Sequence, residues 1–160
     1  MSKPRYNWWG FAMAMIRDYP DRDRALKELR KQKITADTSG SPGGRSDFHV
    51  TEAVALRCLP KQEQWEYDAV SMAINRTKQL DEGKLRLDVI KLTMWRGMKI
   101  DTAAYCLHVS DRTARRYRWQ FIMLVGLYCG WLSEEEYTAA MRRDIAAGKK
   151  DSKSQNDVVK

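Results

Sequence analysis

Apolar residues recur at helical spacing along most of the chain, and this periodicity restricts the possible folds more than any other feature. Residues 61–80, 85–95 and 111–129 each place apolar side chains along one face of a helix. No segment shows the run of alternating β-branched residues that is typical of a strand. The sequence therefore predicts an all-α fold. The N-terminal segment shows the same period, with apolar positions at Trp8, Phe11, Ala12, Met15, Ile16 and Tyr19.

Proline and glycine predict how the chain is divided. Pro20 predicts the end of one helix and the start of another, because proline lacks a backbone N–H but fits a first helical turn. Residues 1–37 are therefore predicted to form a Trp-rich helical hairpin. Glycine, serine and proline are concentrated in residues 38–48, which predicts a flexible linker. The rest is predicted to contain a helix-turn-helix domain at 49–132, a C-terminal helix at 133–147 and a disordered tail at 148–160.

The helix-turn-helix prediction depends on the spacing between residues 99 and 118. Ala103 and Ala104 are small enough to let two helices touch, and Ser110 is a suitable N-cap for the second helix. His108 occupies the turn position that often requires a positive φ, where glycine is the usual residue. A short helix, a tight turn and a capped second helix are expected here.

The outward side of the second helix is predicted to bind DNA. If Ala114, Tyr117 and Phe121 face inward, the 100° step of an α-helix places several hydrogen-bond donors on the opposite side. Guanidinium groups bind phosphate and guanine, although a charged helix face is often only a solvated face. The predicted DNA-binding residues are Lys99, Ser110, Arg112, Thr113, Arg115, Arg116, Trp119 and Gln120, with flanking phosphate contacts from Lys91 and Arg96.

The positive charge of the chain is concentrated in two blocks. The formal charge is +8 and the pI is ≈ 9.5. Residues 1–33 contribute +5 and residues 84–132 contribute +6, whereas residues 34–83 carry −3. A basic balance of this kind is typical of nucleic-acid-binding proteins, although proteins of membrane surfaces share it. The second basic block coincides with the predicted helix-turn-helix.

The aromatic N-terminal segment is interpreted either as core or as a partner surface. A hairpin of this size is too small to bury two tryptophans alone. It is therefore expected to dock on the main domain or on another subunit, which makes a homo-oligomer, dimer or higher, a reasonable hypothesis. The candidate oligomer or partner surface contains Trp8, Trp9, Phe11, Leu26 and Leu29.

The sequence gives no indication of an enzyme, a cofactor or a metal site. His49 and His108 are the two histidines, and the three cysteines have no metal-ligand spacing. Residues 43–46 lack the Gly-Lys-Ser/Thr ending of a phosphate loop. No signal-peptide pattern and no uncharged run of about 18 residues occurs, so we expect a cytoplasmic protein without a membrane partner.

The chain resembles two groups of transcription proteins. Residues 85–121 resemble the region-4-type helix-turn-helix of sigma factors, and residues 6–132 are similar to the RinA/ArpU group of phage transcriptional regulators. The similarity rests on Tyr6-Asn-Trp-Trp9, Met15-Ile-Arg-Asp-Tyr-Pro20, Ser39-Gly-Ser-Pro-Gly-Gly44, Val109-Ser-Asp-Arg-Thr-Ala-Arg-Arg116 and Gly130-Trp131.

The resemblance implies a phage-encoded activator of late genes that acts in the cytoplasm of a bacterial host. It implies double-stranded DNA as a partner, host RNA polymerase as a second candidate partner, and DNA recognition by Arg112, Thr113, Arg115 and Arg116. Ala114 departs from the family pattern, in which Val or Ile is common, and makes a smaller inner contact.

Two other functions are left open by the sequence. A small terminase-like protein that recognises packaging DNA also joins a helix-turn-helix to an oligomerising helical region. An adaptor that binds only protein would use the aromatic N-terminal segment instead. The salt dependence of DNA binding separates the adaptor from the two DNA-binding functions, because phosphate contacts weaken steeply as salt rises.

Overall fold

Helices account for all regular structure in residues 6–31 and 59–156, which are the residues that the computed structural model describes, with backbone alone for 146–156. The predicted all-α fold is confirmed in this part of the chain. The predicted linker at residues 38–48 lies outside it. The helices are α1 Trp9–Lys31, α2 Lys61–Lys78, α3 Gly83–Ile90 with a π-helical turn at Lys91–Trp95, α4 Ile100–Cys106, α5 Asp111–Tyr128 and α6 Glu134–Asn156.

Helix α1 passes through Pro20 without a break, so the predicted N-terminal hairpin is wrong in the described residues. A proline at this position cannot donate the helical hydrogen bond to the carbonyl of Ile16. That carbonyl accepts a hydrogen bond from the indole Nε1 of Trp95 instead, at 2.9 Å. Because a tertiary contact satisfies the acceptor that the proline leaves open, the helix continues to Lys31.

Helix α5 lies at the centre of the fold and packs against α1, α2, α3, α4 and α6. Its C-terminal half, from Gln120 to Gly126, is buried on every side. The main apolar core joins this half of α5 to residues of the other helices, among them Ile16, Val70 and Ile90. Burial of this kind is the main stabilising contribution to a helical domain.

The aromatic N-terminal segment docks on the core of the same chain. The Trp8 ring lies against Gly126, where a Cβ would overlap it, and it stacks on Trp131 with 5.9 Å between ring centroids. Trp9 also packs against the core, and Leu26 is buried. Three of the residues predicted for a partner surface therefore contribute to packing within the chain, and Gly126 leaves room for the indole of one of them, Trp8. The other two stay accessible, with Phe11 69% exposed and Leu29 half-buried.

Helix α6 begins at a capping box and runs past the predicted boundary at residue 147. The Ser133 hydroxyl accepts a hydrogen bond from the Glu136 N–H at 3.2 Å, and the Glu136 carboxylate accepts one from the Ser133 N–H at 2.9 Å. Gly148 does not stop the helix, since a glycine inside a helix costs only about 1 kcal/mol relative to alanine. The backbone stays helical to Asn156, where the sequence predicted a disordered tail from residue 148.

None of the helices in the described ranges is long and apolar enough to cross a membrane.

Candidate nucleic-acid interface

Helices α4 and α5 are joined by a four-residue turn with the local features that the sequence predicts. His108 has a φ of 54°, in the left-handed region where glycine is favoured. Ser110 is the N-cap of α5, and its Oγ accepts a hydrogen bond from the Thr113 N–H at 3.1 Å. Ala103 and Ala104 are fully buried, as expected where two helices touch. The connection between α4 and α5 therefore determines the residue at which α5 begins.

A small apolar cluster holds the N-terminal half of α5 against α3 and α4. Val89 of α3, Ala104 of α4, and Ala114 and Tyr117 of α5 are its buried members. Phe121, one turn further along α5, is buried in the main core. The predicted inward side of α5 is therefore confirmed, and the small side chain at Ala114 permits close approach to Ala104.

The opposite side of α5 is partly covered by α6, which the sequence did not predict. Asp144 of α6 accepts hydrogen bonds from Arg116 Nε at 2.6 Å and from Gln120 Nε2 at 2.9 Å. Trp119 of α5 lines a small pocket together with Ala140 and Asp144 of α6. We call Arg116, Trp119 and Gln120 the closed side of α5.

The packing of α6 corrects the exposure that the sequence predicted for the closed side. Arg116 is committed to a carboxylate, Gln120 is buried, and Trp119 is half-buried. The sequence prediction assumed that α5 has one buried face and one solvated face. That assumption is wrong at these three residues, because α6 packs along α5 and partly covers the second face.

A polar network connects the closed side of α5 to α3 and to Glu82, the residue before α3. Gln120 Oε1 accepts a hydrogen bond from Arg86 of α3 at 2.5 Å, and the Arg86 guanidinium lies 4.5 Å from the centroid of the Tyr117 ring. The Tyr117 hydroxyl donates a hydrogen bond to the Glu82 carboxylate. Burial, followed by this hydrogen bond, raises the pKa of Tyr117. Three helices are tied together here, so the orientation of α5 is fixed by polar as well as apolar contacts.

The remaining side of α5 carries a row of arginines, and we call Arg112, Arg115 and Arg118 the open side. Residues three apart on a helix are neighbours, so the three side chains follow one another along the surface. Arg112 and Arg115 are exposed, and Arg118 is half-buried. Sequence analysis missed Arg118, although its spacing of three from Arg115 was a signal that could have found it.

Arg17 of α1 is a further arginine that affects Arg118. Its side chain is exposed. The pKa of Arg118 is lowered, first by burial and second by the charge of Arg17. Within the described ranges, neither guanidinium forms a salt bridge or a hydrogen bond. No sequence pattern signals this pair, because it depends on how α1 docks on α5.

The other predicted contact residues differ in their exposure and in their partners. Arg96 and Lys99 are exposed on either side of Gly97, which has a φ of 66°. Lys91 is exposed too, but its Nζ lies 2.9 Å from the Asp88 carboxylate. The Thr113 hydroxyl shares a 2.8 Å hydrogen bond with Ser110 Oγ and is half-buried.

The described part of the chain contains no group of three or more His, Cys, Asp or Glu side chains that could hold a metal ion. Burial raises the pKa of the Cys129 thiol to about 12, which keeps it protonated and unreactive at neutral pH.

No family model, no curated protein and no solved structure matches the chain.

Proposed function

We propose that the chain is a sequence-specific double-stranded-DNA-binding protein that regulates transcription, and that the open side of α5 reads the DNA. The observation that carries this proposal is the row of exposed arginines directly after a capped tight turn. Arg112 and Arg115 stay accessible on the N-terminal half of α5, while the rest of the helix is packed into the fold. Such a helix can present arginine hydrogen-bond donors to a DNA groove while its C-terminal half stays packed in the core.

The geometry suits entry of α5 into the major groove from its N-terminal end. In helix-turn-helix proteins, the N-terminal residues of the second helix contact base edges while the first helix crosses the backbone. Arg112 and Arg115 are placed for bases or phosphates, since arginine binds guanine and phosphate in a bidentate manner. Arg96 and Lys99 are exposed and precede α4, and in this proposal they contact phosphates beside the groove.

The regulatory part of the proposal comes from the resemblance to the RinA/ArpU group. It implies activation of phage late genes in a bacterial host, with host RNA polymerase as a partner. A symmetric operator would require a dimer, because each half-site binds one copy of the reading helix. A terminase-like packaging protein would bind DNA with the same side of α5 but would not stimulate transcription.

Direct binding tests the DNA-binding part. Duplexes selected in vitro from a random pool are titrated by fluorescence anisotropy across about 50 to 200 mM salt. We expect affinity to fall steeply with salt, and Arg115→Ala to weaken binding by about tenfold or more. Arg30→Ala is the matched control, since Arg30 is exposed and its loss removes the same charge at the far end of α1. Selection of no duplex, or equal effects of the two substitutions, would contradict the proposal.

Run-off transcription tests the regulatory part. Purified host polymerase is supplied with a template that carries the selected sequence upstream of a weak promoter. Activation by the wild-type chain, and its loss in Arg115→Ala, is the expected result. Protection of the sequence in a footprint without any change in transcript would favour packaging instead.

A further inference from the structure

Asp144 of α6 accepts hydrogen bonds from two side chains of the closed side. Its Oδ2 atom lies 2.6 Å from Arg116 Nε and 2.9 Å from Gln120 Nε2. Arginine and glutamine are also the donors that proteins use for guanine and adenine, and arginine binds phosphate. A carboxylate of the same chain therefore satisfies donors of the kind that a DNA acceptor would bind.

The closed side continues the helical surface that carries Arg112 of the open side. Arg116 lies four residues after Arg112, and side chains four residues apart are neighbours on a helix. The Arg116 side chain is 37% exposed, so its pair with Asp144 lies at the surface of the protein. If Asp144 released it, the Arg116 guanidinium would be the next donor along α5 beside the open side.

Helix α6 is less deeply packed than the helix that it covers. Residues 120–126 of α5 are all buried, whereas none of the α6 side chains that the structure describes, at 134–145, is buried. A cleft of ≈ 210 Å³ is lined by Leu124 of α5 and by Met141 and Ile145 of α6, among others. Apolar burial is the main force that docks a helix, so α6 loses less on leaving the fold than the buried half of α5 would.

We infer that α6 is an autoinhibitory cover, in which Asp144 takes the place of a DNA phosphate and keeps Arg116 out of the DNA interface. The inference rests on the proposed function. Because Asp144 and DNA compete for the same guanidinium, Arg116 can bind DNA only in the fraction of molecules in which this contact is open, and the apparent affinity is reduced accordingly. Release of α6 would add a contact to DNA without any change on the open side.

The signature of such a cover is that stability and DNA affinity change in opposite directions. Removal of a carboxylate that only joins two helices lowers stability and gives no gain in binding. Removal of a carboxylate that also masks a DNA-binding group lowers stability and strengthens binding.

The first test compares Asp144→Ala with the wild type in anisotropy titrations of the selected duplex. We expect Kd to fall by about tenfold and the slope of log Kd against log salt to steepen by about 1, the value for one phosphate contact. Glu135→Ala is the matched control, because it removes an exposed carboxylate from the same helix and should leave both quantities near their wild-type values. Circular dichroism at the assay temperature shows whether each variant is folded. Wild-type or weaker affinity in folded Asp144→Ala would overturn the inference.

The loss of a negative charge would by itself favour DNA binding, and a double variant separates this cause from the release of Arg116. Arg116→Ala alone should bind close to the wild type, since its guanidinium is masked there. If Arg116 makes the new contact, the combination of Arg116→Ala with Asp144→Ala should lose most of the gain in affinity and in salt slope. A double variant that keeps the whole gain would assign it to the lost charge and would overturn the inference.

Asp144→Asn is a milder change, for use if Asp144→Ala does not fold. Its amide oxygen still accepts a hydrogen bond, but it carries no charge to hold the guanidinium. A smaller gain in affinity and a smaller increase in the salt slope are expected. The inference is wrong if folded Asp144→Asn shows neither.

These outcomes separate the inference from the proposed function. If neither the wild type nor Asp144→Ala binds any duplex, the proposed function fails and the inference fails with it. If Arg115→Ala weakens binding while Asp144→Ala does not strengthen it, the proposed function stands and only the inference fails.

Discussion

The two sides of α5 carry similar side chains and have different environments. The closed side has an arginine and a glutamine that are hydrogen-bonded to Asp144 of α6. The open side has three arginines, two of them exposed. Arg115 and Arg116 are neighbours in the sequence, yet one faces solvent and the other faces a carboxylate. Residue type therefore does not determine which arginine is paired and which is exposed, and the packing of α6 does.

This difference also separates two kinds of contribution. Arg116 on the closed side holds two helices together, so its loss should be measured mainly as lost stability. Among the described residues, no salt bridge or hydrogen bond ties Arg115 of the open side to another helix, so its loss should be measured mainly as lost affinity. The comparison is contradicted if a substitution on the closed side lowers only DNA affinity, or if one on the open side lowers only stability.

The largest effect is expected for the double substitution Arg112→Ala and Arg115→Ala. Removing two base or phosphate contacts should cost about 3 kcal/mol of DNA-binding free energy, or roughly a hundredfold in Kd. The free energy of unfolding should change by less than about 0.5 kcal/mol, as for most surface substitutions. Anisotropy and urea unfolding measure the two quantities. A large loss of stability with unchanged affinity would mean that these arginines stabilise the fold and do not bind DNA, which would contradict the account.

Asp144→Ala tests the closed side. It leaves Arg116 and the buried Gln120 without their shared acceptor, so it should lower the free energy of unfolding by about 1–2 kcal/mol. Glu135→Ala is a suitable control, because Glu135 is an exposed carboxylate of the same helix. Urea unfolding compares the two variants. Equal stabilities would show that α6 does not hold the closed side in place.

Ser110→Ala should have a smaller effect, because it removes one cap from α5. The loss of the hydrogen bond to the Thr113 N–H should cost about 1 kcal/mol of stability. Ser110→Asp keeps an acceptor at the N-cap and should restore most of it. Thermal unfolding of both variants checks the prediction, which fails if the aspartate variant is as unstable as the alanine variant.

The smallest effect is expected from pH at the start of α6. Hydrogen bonds from Ser133 lower the pKa of the Glu136 carboxyl. A lowered pKa in the folded state stabilises the protein above the ordinary value of 4.5, and this contribution is lost as pH falls through the lowered value. Glu136→Gln should flatten that part of the stability profile. An unchanged profile in acid urea titrations would contradict the role of the capping box.

Local features of the fold could be predicted from sequence because they depend on neighbouring residues. The cap at Ser110, the positive φ of His108 and the capping box at Ser133 each follow from a few adjacent positions. The same holds for the inward side of α5, since the helical period alone defines it.

Features that depend on distant contacts were missed. The helix passes Pro20 because Trp95, far along the chain, satisfies the Ile16 carbonyl. Asp144 removes Arg116 from the predicted surface through a contact between α5 and α6. Such contacts have no period and no motif, so the sequence could predict the buried side of α5 but not which residues of its other side α6 covers.

The most direct test of the central claim is NMR spectroscopy of the arginine Nε–H groups during titration with a selected duplex. The account predicts shifts for the open-side residues Arg112, Arg115 and Arg118, with little change at Arg116, whose Nε–H stays on Asp144. The opposite pattern, with Arg116 shifting while the open side does not, would contradict the proposal that the open side of α5 reads DNA.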